Sequence, residues 1–280
     1  MFEKEEVAEY YNTTQNHYEK WWSLKQHLSL HYGIWDETTR THGDALQNTN
    51  RILITTAGIK PTDLVLDAGC GVGGAAFFIH QKTGATVTGI SLSDKQIALA
   101  KKMTIEKGIS QKVSFQLMDF INTSFPDEHF DVVWCCEAMC HAQDKSAFIK
   151  ECFRVLKPGG RLVISDYFLP QKEVEDKNNW LKKWCDTWAM HSFDTMDVFK
   201  NKLLQSGFDK ADHHDYSSQI RKSAKRMYYA ALLGATSSEV YNFFHPRVSR
   251  FAKTHYKSGY YQYNALKEGL WKYNVVMAIK

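Results

Sequence analysis

The sequence predicts an α/β fold built on a seven-stranded, doubly wound sheet, with a helical arm before it and a helical lid inserted near its end. Three observations carry this expectation. From Asp63 onward, short apolar runs alternate with helix-period segments, the signature of a parallel sheet covered on both faces. The first run, Leu64 to Leu66, reaches Asp67 and then the glycine-dense turn Ala68-Gly69-Cys70-Gly71-Val72-Gly73-Gly74. After Phe168 the alternation stops, and an aromatic stripe takes over before strand-like patterning resumes.

A strand, a glycine turn and the apolar helix start Ala75-Ala76-Phe77-Phe78-Ile79 bring backbone N–H groups and a helix N-terminus close to a ligand. Glycine suits such a turn because it tolerates positive φ and has no Cβ to hold a ligand away. The spacing alone is ambiguous, since Gly69, Gly71 and Gly74 also satisfy G-x-G-x-x-G, the dinucleotide fingerprint. A dinucleotide site places an acid about 20 residues further on, at the end of the second strand. Here Thr86-Val87-Thr88-Gly89-Ile90-Ser91 ends without one. Asp67, at the carboxyl end of the first strand, fits a cationic ligand group better than a pyrophosphate. A turn that only joins strand to helix is the plain alternative.

Residues 1 to about 60 read as helical. Val7, Tyr10, Tyr11 and Thr14 fall at helical spacing, followed by Tyr18, Trp21 and Trp22. Leu30-His31-Tyr32-Gly33-Ile34-Trp35-Asp36 interrupts the pattern with a glycine between aromatics, and a helix resumes from Thr41 to Ala57. Strands are expected at 63–67, 86–91, 112–117, 130–136 and 160–168, and helices at 73–83, 93–107 and 144–156. Trp180, Trp184 and Trp188, with Met190, then form a stripe near i, i+4, i+8 that suits a core face, while the family resemblance set out below implies a substrate lid there, and the two weigh equally. Phe208 to Tyr216 reads as a strand. Arg221, Lys222, Lys225 and Arg226 give a basic helical face beside Tyr228 and Tyr229, ordinarily a solvated one. Trp271, Tyr273, Val275, Met277 and Ile279 alternate as a half-buried strand, with 260–266 joining the lid to it. No internal repeat or low-complexity linker interrupts the chain, so one domain is expected. Its parts are an arm over 1–60, a ligand-binding half over 61–170, and the lid and last strands over 171–280.

Composition narrows the function. A chain of 280 residues buries a full core. Charged residues are 24% and the net charge is +4, unlike a nucleic-acid-binding arm. Aromatic residues reach 14%, many of them outside the expected sheet. The six cysteines form no C-x-x-C pair. Cys135, Cys136, Cys140 and His141 cluster in a strand and its exit, and read as buried free thiols and a histidine rather than a metal site. No apolar run approaches the ~20 residues of a membrane span, and the N-terminus lacks a signal core. A cytoplasmic, soluble protein without nucleic-acid partner is expected, its oligomeric state left open.

The stretch Asp67 to Gly74 resembles motif I of class I S-adenosylmethionine-dependent methyltransferases, and further motifs follow in that family's order. Thr88-Gly89-Ile90-Ser91-Leu92-Ser93-Asp94-Lys95-Gln96 is similar to the "V-T-G-I-T-L-S-x-x-Q" stretch of sterol, tocopherol and cyclopropane-fatty-acid enzymes. Met118-Asp119-Phe120, Phe130-Asp131-Val132-Val133-Trp134 and Arg154-Val155-Leu156-Lys157-Pro158-Gly159-Gly160 complete the set. The resemblance implies a Rossmann-like methyltransferase sheet with its last strand antiparallel. It implies S-adenosyl-L-methionine as cofactor and S-adenosyl-L-homocysteine as product. The cofactor residues it implies are Tyr32, Asp67, Gly69, Cys70, Gly71, Leu92, Gln96, Met118, Asp119 and Phe120. Among them Gln96 replaces the missing ribose acid and Asp119 meets the adenine amino group, while a turn-forming carboxylate is the plain alternative for Asp119. Trp35, Trp188 and Tyr229 are candidate substrate contacts in the arm and lid, and the Arg221–Arg226 face a candidate receiver of an anionic head group.

Cys136-Glu137-Ala138-Met139-Cys140-His141 lies at the carboxyl end of the fourth strand, where such sheets place their chemistry. It is similar to the "I-E-A-T-C-H-A" stretch of sterol C-methyltransferases. Glu137 is the candidate stabiliser of a cation, and His141 the candidate base towards a hydroxyl, carbon acid or amine. A structural hydrogen bond beneath the pocket is the alternative for His141. The expectation is therefore methylation, at carbon or oxygen, of a largely apolar small molecule such as a sterol, prenyl compound or quinone. A small-amine N-methyltransferase and a non-catalytic cofactor-binding protein stay open beside it. Asp67 and the acid-free second strand count against a nicotinamide dehydrogenase. The lack of an N-P-P-Y motif or dense basic groove counts against nucleic-acid methylation.

Overall fold

Apolar runs covered on both faces pair side by side in the middle of a sheet, while the edge runs Val113–Leu117 (Val-Ser-Phe-Gln-Leu) and Lys210–Asp215 (Lys-Ala-Asp-His-His-Asp) keep exposed residues. Together they form β1 (Leu64–Ala68), β2 (Thr86–Ser91), β3 (Val113–Leu117), β4 (Phe130–Cys136), β5 (Leu156–Phe168), β6 (Lys210–Asp215) and β7 (Lys272–Ile279). The sheet order is β3-β2-β1-β4-β5-β7-β6. β7 runs antiparallel to both its neighbours, and the other pairings are parallel. Val65 on β1 pairs with Val87 on one side and Val132 on the other. Strand order reverses between β1 and β4, and the crevice outside their carboxyl ends is where open α/β sheets hold ligands.

The computed structural model describes residues 2–21 and 28–280, with side chains for 2–14 and 28–280. The expectations placed on Trp22 and on the Tyr18 and Trp21 side chains lie outside the described residues. The helices are α1 (Lys4–Trp21), α2 (His42–Ala57), α3 (Gly74–Thr83), α4 (Asp94–Glu106), α5 (Lys145–Val155), α6 (Trp180–Trp188), α7 (Met196–Gln205), α8 (Arg221–Phe244), α9 (Arg250–Thr254) and α10 (Lys257–Lys267). Helix starts follow local chemistry. Thr41 closes a capping box with Asp44, and Ser93, Asp144 and Thr195 each cap the helix that follows them. Among the described residues, no helix is long and apolar enough to cross a membrane.

Alternation along the strands divides the core in two. Val65, Val87, Val132 and Trp134 face one side, while Leu66, Ile90, Val133 and Cys135 face the other. On the first side an aromatic block forms from Tyr32, Tyr167, Trp184, Trp271 and Tyr273, each at most 1% exposed. Trp184 lies 4.9 Å from Trp271 and 5.0 Å from Tyr167 between ring centroids. The stripe of α6 therefore splits: Trp184 is core, and Trp180 packs on Tyr260 and Tyr261.

One segment differs in kind from the sequence reading. Residues 260–266 are not a connection but most of α10, whose Ser258, Gly259, Gln262 and Ala265 are buried. Their four Tyr and Asn residues hid the helix behind low helix propensity, and tertiary packing decides it. Helix α10 sits against α8 closely enough that a Cβ on Gly259 would fall 2.4 Å from the Met227 carbonyl oxygen. Gly259→Ala must therefore push two backbones apart. We expect it to lower unfolding free energy by about 1–3 kcal/mol in urea melts, as overpacking does.

Candidate active site

At the carboxyl ends of β1 and β4 the sheet opens on a cavity of about 380 Å³, closed from above by residues of α1 and the segment 28–31. The glycine turn forms its floor. The N–H groups of Gly69 and Cys70 both donate to the Ile90 carbonyl, at 3.0 and 2.9 Å, which ties the turn to β2. The glycines have different duties. A Cβ on Gly69 would lie 2.3 Å from that of Ala138, and one on Gly73 would strike the Phe115 ring at 2.5 Å, so both serve packing. Gly71 has φ +51° and faces open space, its imagined Cβ meeting only Leu30 at 3.8 Å. Its lack of a side chain keeps room in the cavity.

Asp67 is 1% exposed at the foot of the same cavity. Burial raises its pKa to about 7, opposed by the backbone N–H of Ala76. Its Oδ2 has no hydrogen-bond partner among the described residues. A buried carboxylate oxygen left this way is costly unless a ligand supplies a donor or a positive charge. Gln96 is buried beside it and accepts from the Ser91 hydroxyl at 2.9 Å. Leu92, Asp119 and Phe120 line the wall beyond. Asp119 also accepts the Ile121 N–H at 3.1 Å, so it forms the local turn and faces the cavity at once.

Glu137 follows β4 with φ +52°, a left-handed conformation that costs a non-glycine residue about 1–2 kcal/mol. Three donors meet its carboxylate. Oε1 accepts the Tyr32 N–H at 2.6 Å and the Tyr273 hydroxyl at 2.7 Å, and Oε2 accepts the Tyr167 hydroxyl. Burial still pushes its pKa up to about 8, with the three donors pulling it back. The partner expected from a bound cation is thus supplied by the protein itself.

His141 also faces the cavity. Its Nδ1 lies 3.1 Å from the Ala189 carbonyl, which can only accept, so Nδ1 carries the proton and Nε2 is left as acceptor. The Tyr11 hydroxyl of α1 lies 2.8 Å from Nε2. Burial lowers the histidine pKa to about 4, and the ring is neutral at neutral pH.

The cavity gathers Asp67, Gly69, Cys70, Gly71, Leu92, Gln96, Asp119, Phe120, Glu137, His141 and Trp188. Other expected site residues lie elsewhere. Tyr32 gives Glu137 its N–H, but its ring packs among Tyr167, Trp271 and Tyr273 and its hydroxyl donates to Gln262, away from the cavity. Trp35 donates its indole N–H to Ser223 at 3.0 Å under the Lys222 ammonium. Tyr229 is half exposed on α8, and Met118 is bound by its N–H to Ser91 outside the cavity wall. Of the stretch His31-Tyr32-Gly33-Ile34-Trp35, which the resemblance implied would line the pocket, His31 does so, and Tyr11 and Tyr167 line the cavity without having been singled out for it. Only the helical spacing of Tyr11 hinted at either.

Sheet order, glycine turn and orphaned carboxylate together define a class I, Rossmann-like methyltransferase. Residues 66–164 match the family model described as "Methyltransferase domain". The chain is 34% identical over 201 residues to the 27-O-demethylrifamycin SV methyltransferase of Amycolatopsis mediterranei, covering 70% of this chain and 72% of that one. It is 36% identical over 171 residues to the sterol 24-C-methyltransferase of Eremothecium gossypii, covering 61% of this chain but only 44% of the longer sterol enzyme. Its fold matches a geranyl diphosphate methyltransferase solved with GPP and sinefungin, at TM-score 0.80 and 18% identity over 99% of this chain and 98% of that one. The chain belongs to the S-adenosylmethionine-dependent methyltransferases. The residues present fit that cofactor: the unpartnered Asp67 oxygen suits a cationic ligand, and the space kept by Gly71 suits a ligand lying on the backbone.

Two outcomes follow from this geometry. A cation at Asp67 holds the carboxylate ionised, so cofactor binding below pH 7 must expel a proton. Affinity measured by calorimetry should rise up to about tenfold per pH unit below 7 and level off above it, and Asp67→Asn should flatten that slope. A slope unchanged in the variant would place the charge elsewhere. Glu137→Gln turns one acceptor oxygen into a donor facing donors. Thermal and urea melts should show a loss of about 1–3 kcal/mol, where a carboxylate used only for chemistry would leave stability alone.

Proposed function

We propose that this protein transfers the methyl group of S-adenosylmethionine to a hydroxyl oxygen of a largely apolar small molecule. The hydrogen-bonded pair of Tyr11 and His141, facing the cavity from opposite sides, carries the reading. When bound, the cofactor supplies an electrophilic methyl group on a sulfonium. The protein's residues do the rest. Asp67 and the Gly69–Gly71 turn would hold the amino-acid end, and Gln96 with Asp119 the nucleoside end. The neutral His141 Nε2 accepts a proton from Tyr11 as the Tyr11 hydroxyl takes that of the acceptor, so the acceptor oxygen is left free to form its new bond to carbon. Nδ1–H, fixed on the Ala189 carbonyl, keeps the ring in the required tautomer.

The rest of the lining supports an apolar acceptor. Phe2, Val7, Tyr10, Leu28, Leu30, Phe120 and Trp188 surround the polar groups. Two relatives are named for a rifamycin and for sterols. Closure by α1 shields donor and acceptor from water and holds them in line, which accounts for most of the rate that such a transfer needs. We assign Glu137 a positioning role, holding the segment that leads from the arm, since both its oxygens are engaged. Six free cysteines suit a reducing compartment, and we place the enzyme in the cytoplasm on that ground.

The test is a screen with methyl-labelled cofactor against hydroxyl-bearing sterols, prenyl alcohols, hydroquinones and macrolides, with small amines as the contrasting set. Transfer to amines alone would replace this reading. With an acceptor in hand, His141→Gln should lower kcat by roughly 10²–10³ and Tyr11→Phe by about 10–10², with cofactor affinity nearly unchanged. Protonation of His141 removes the base, so turnover should fall as pH drops through about 4, well below the ordinary histidine range. An acid limb near 6.5 that survives in His141→Gln would show another base at work.

A further inference from the structure

Helix α8 carries its small residues inward and its large apolar residues outward. Ser223, Ala224, Ala231 and Gly234 are buried with Met227. On the other side Leu233 is 81% exposed, Phe243 78% and Phe244 71%, with Tyr229, Leu232 and Val240 about half exposed. Counted from Tyr229 these six recur at i, i+3, i+4, i+11, i+14 and i+15, on one face of a 3.6-residue helix, in two groups with the exposed Thr236 and Ser237 between them. Large apolar side chains gathered on the solvent side of a folded chain mark an interaction surface.

Charge decides which one. Lys222, Lys225 and Arg226 continue the same face one turn towards the N-terminus of α8, and Arg247 follows its C-terminal end. Residues 221–253 hold seven lysines and arginines and one acid, Glu239, in a chain whose whole net charge is +4. The rest of the molecule is therefore net acidic, and the cations are gathered around the stripe. Glu239 is paired with Lys257, and Arg250 with Glu6 of α1. Two copies packed through this face would set cations against cations whether the helices ran parallel or antiparallel. A surface of negative head groups over an apolar interior matches both parts of the pattern.

We propose that the outer face of α8 docks on an anionic lipid bilayer, with the Leu233–Phe244 stripe at the acyl boundary and the flanking lysines and arginines against the head groups. The placement joins this surface to the site. The chain leaves α8 into α9, where Phe251 packs on Phe2 and Tyr10, two residues of the cavity lining. An apolar acceptor dissolved in lipid is thereby brought to the side of the molecule on which the arm closes. The docking itself is independent of the acceptor's identity, and it is measured without cofactor or acceptor.

Flotation of the whole chain with phosphatidylcholine vesicles, with and without phosphatidylserine, tests it. The expected result is flotation only with the anionic vesicles, weakened by high salt. Leu233→Ser/Phe243→Ser/Phe244→Ser should lower vesicle binding by roughly a hundredfold, and Lys222→Glu/Lys225→Glu should abolish the preference for phosphatidylserine. Both variants change exposed side chains, and circular dichroism and melting should match the parent. The second leaves the apolar stripe intact should the first disturb the helix. Absence of flotation, or flotation equal in parent and both variants, overturns the proposal. A dimer in light scattering that the triple variant abolishes, without vesicle binding, overturns it in favour of a second copy of the chain.

Discussion

The carboxylate of Glu137 is the point on which the site's architecture depends. It leaves β4 in a left-handed conformation and gathers donors from three distant parts of the chain: the backbone of Tyr32 after the arm, Tyr167 on β5 and Tyr273 on β7. Tyr167 and Tyr273 are opposite partners across the antiparallel β5–β7 pair, so the sheet register itself aims both hydroxyls at one acid. Neither the strained backbone nor the enclosed carboxyl group is favourable alone. Together with three donors they fix where the segment before α2 crosses the sheet, and hence where the arm comes down over the cavity.

That arrangement explains what was legible in the sequence. Strand positions, the glycine turn and the antiparallel last strand follow from local patterning and from motif resemblance, and they agree with the structure within a residue or two, apart from β5, which starts four residues earlier. Asp67 and Gly71 were legible because sheet topology puts strand ends and the following turns beside a ligand, and Gln96 because the motif resemblance implied it. Tyr32 was harder. Its proximity to the site is real, but its side chain is drawn into the aromatic block by Trp271 and Tyr167, and only its N–H reaches Glu137. A motif gives the place of a residue along the chain, not which of its groups does the work.

Tyr11 lay beyond sequence reasoning for a different reason. It meets His141 across 130 positions, and no local pattern encodes a contact made when one helix closes on a sheet. Helical spacing made Val7, Tyr10 and Tyr11 equivalent members of one apolar face. The structure separates them: Tyr10 packs on Phe251 while Tyr11 turns its hydroxyl to the imidazole. The inversion of α8 escaped notice likewise, because periodicity identifies an apolar face without telling whether the core lies on that side. Small residues at Ala224, Ala231 and Gly234, allowing α10 to approach closely, reverse the usual assignment.

The electrostatics of the cavity bring these parts together. Burial raises Asp67 to about 7 and Glu137 to about 8, and lowers His141 to about 4. Each of these shifts favours the neutral form, as burial of the groups away from water demands. Such surroundings resist an acceptor that arrives charged, and strengthen the attraction of Asp67 for a cation held against it. On the proposed function, the positive charge that fits here is the cofactor's, the neutral imidazole takes a proton, and the acceptor contributes apolar bulk. On that reading, the burial that disfavours a second ion beside Asp67 and His141 is the same that favours an apolar acceptor, such as one drawn from the bilayer proposed above.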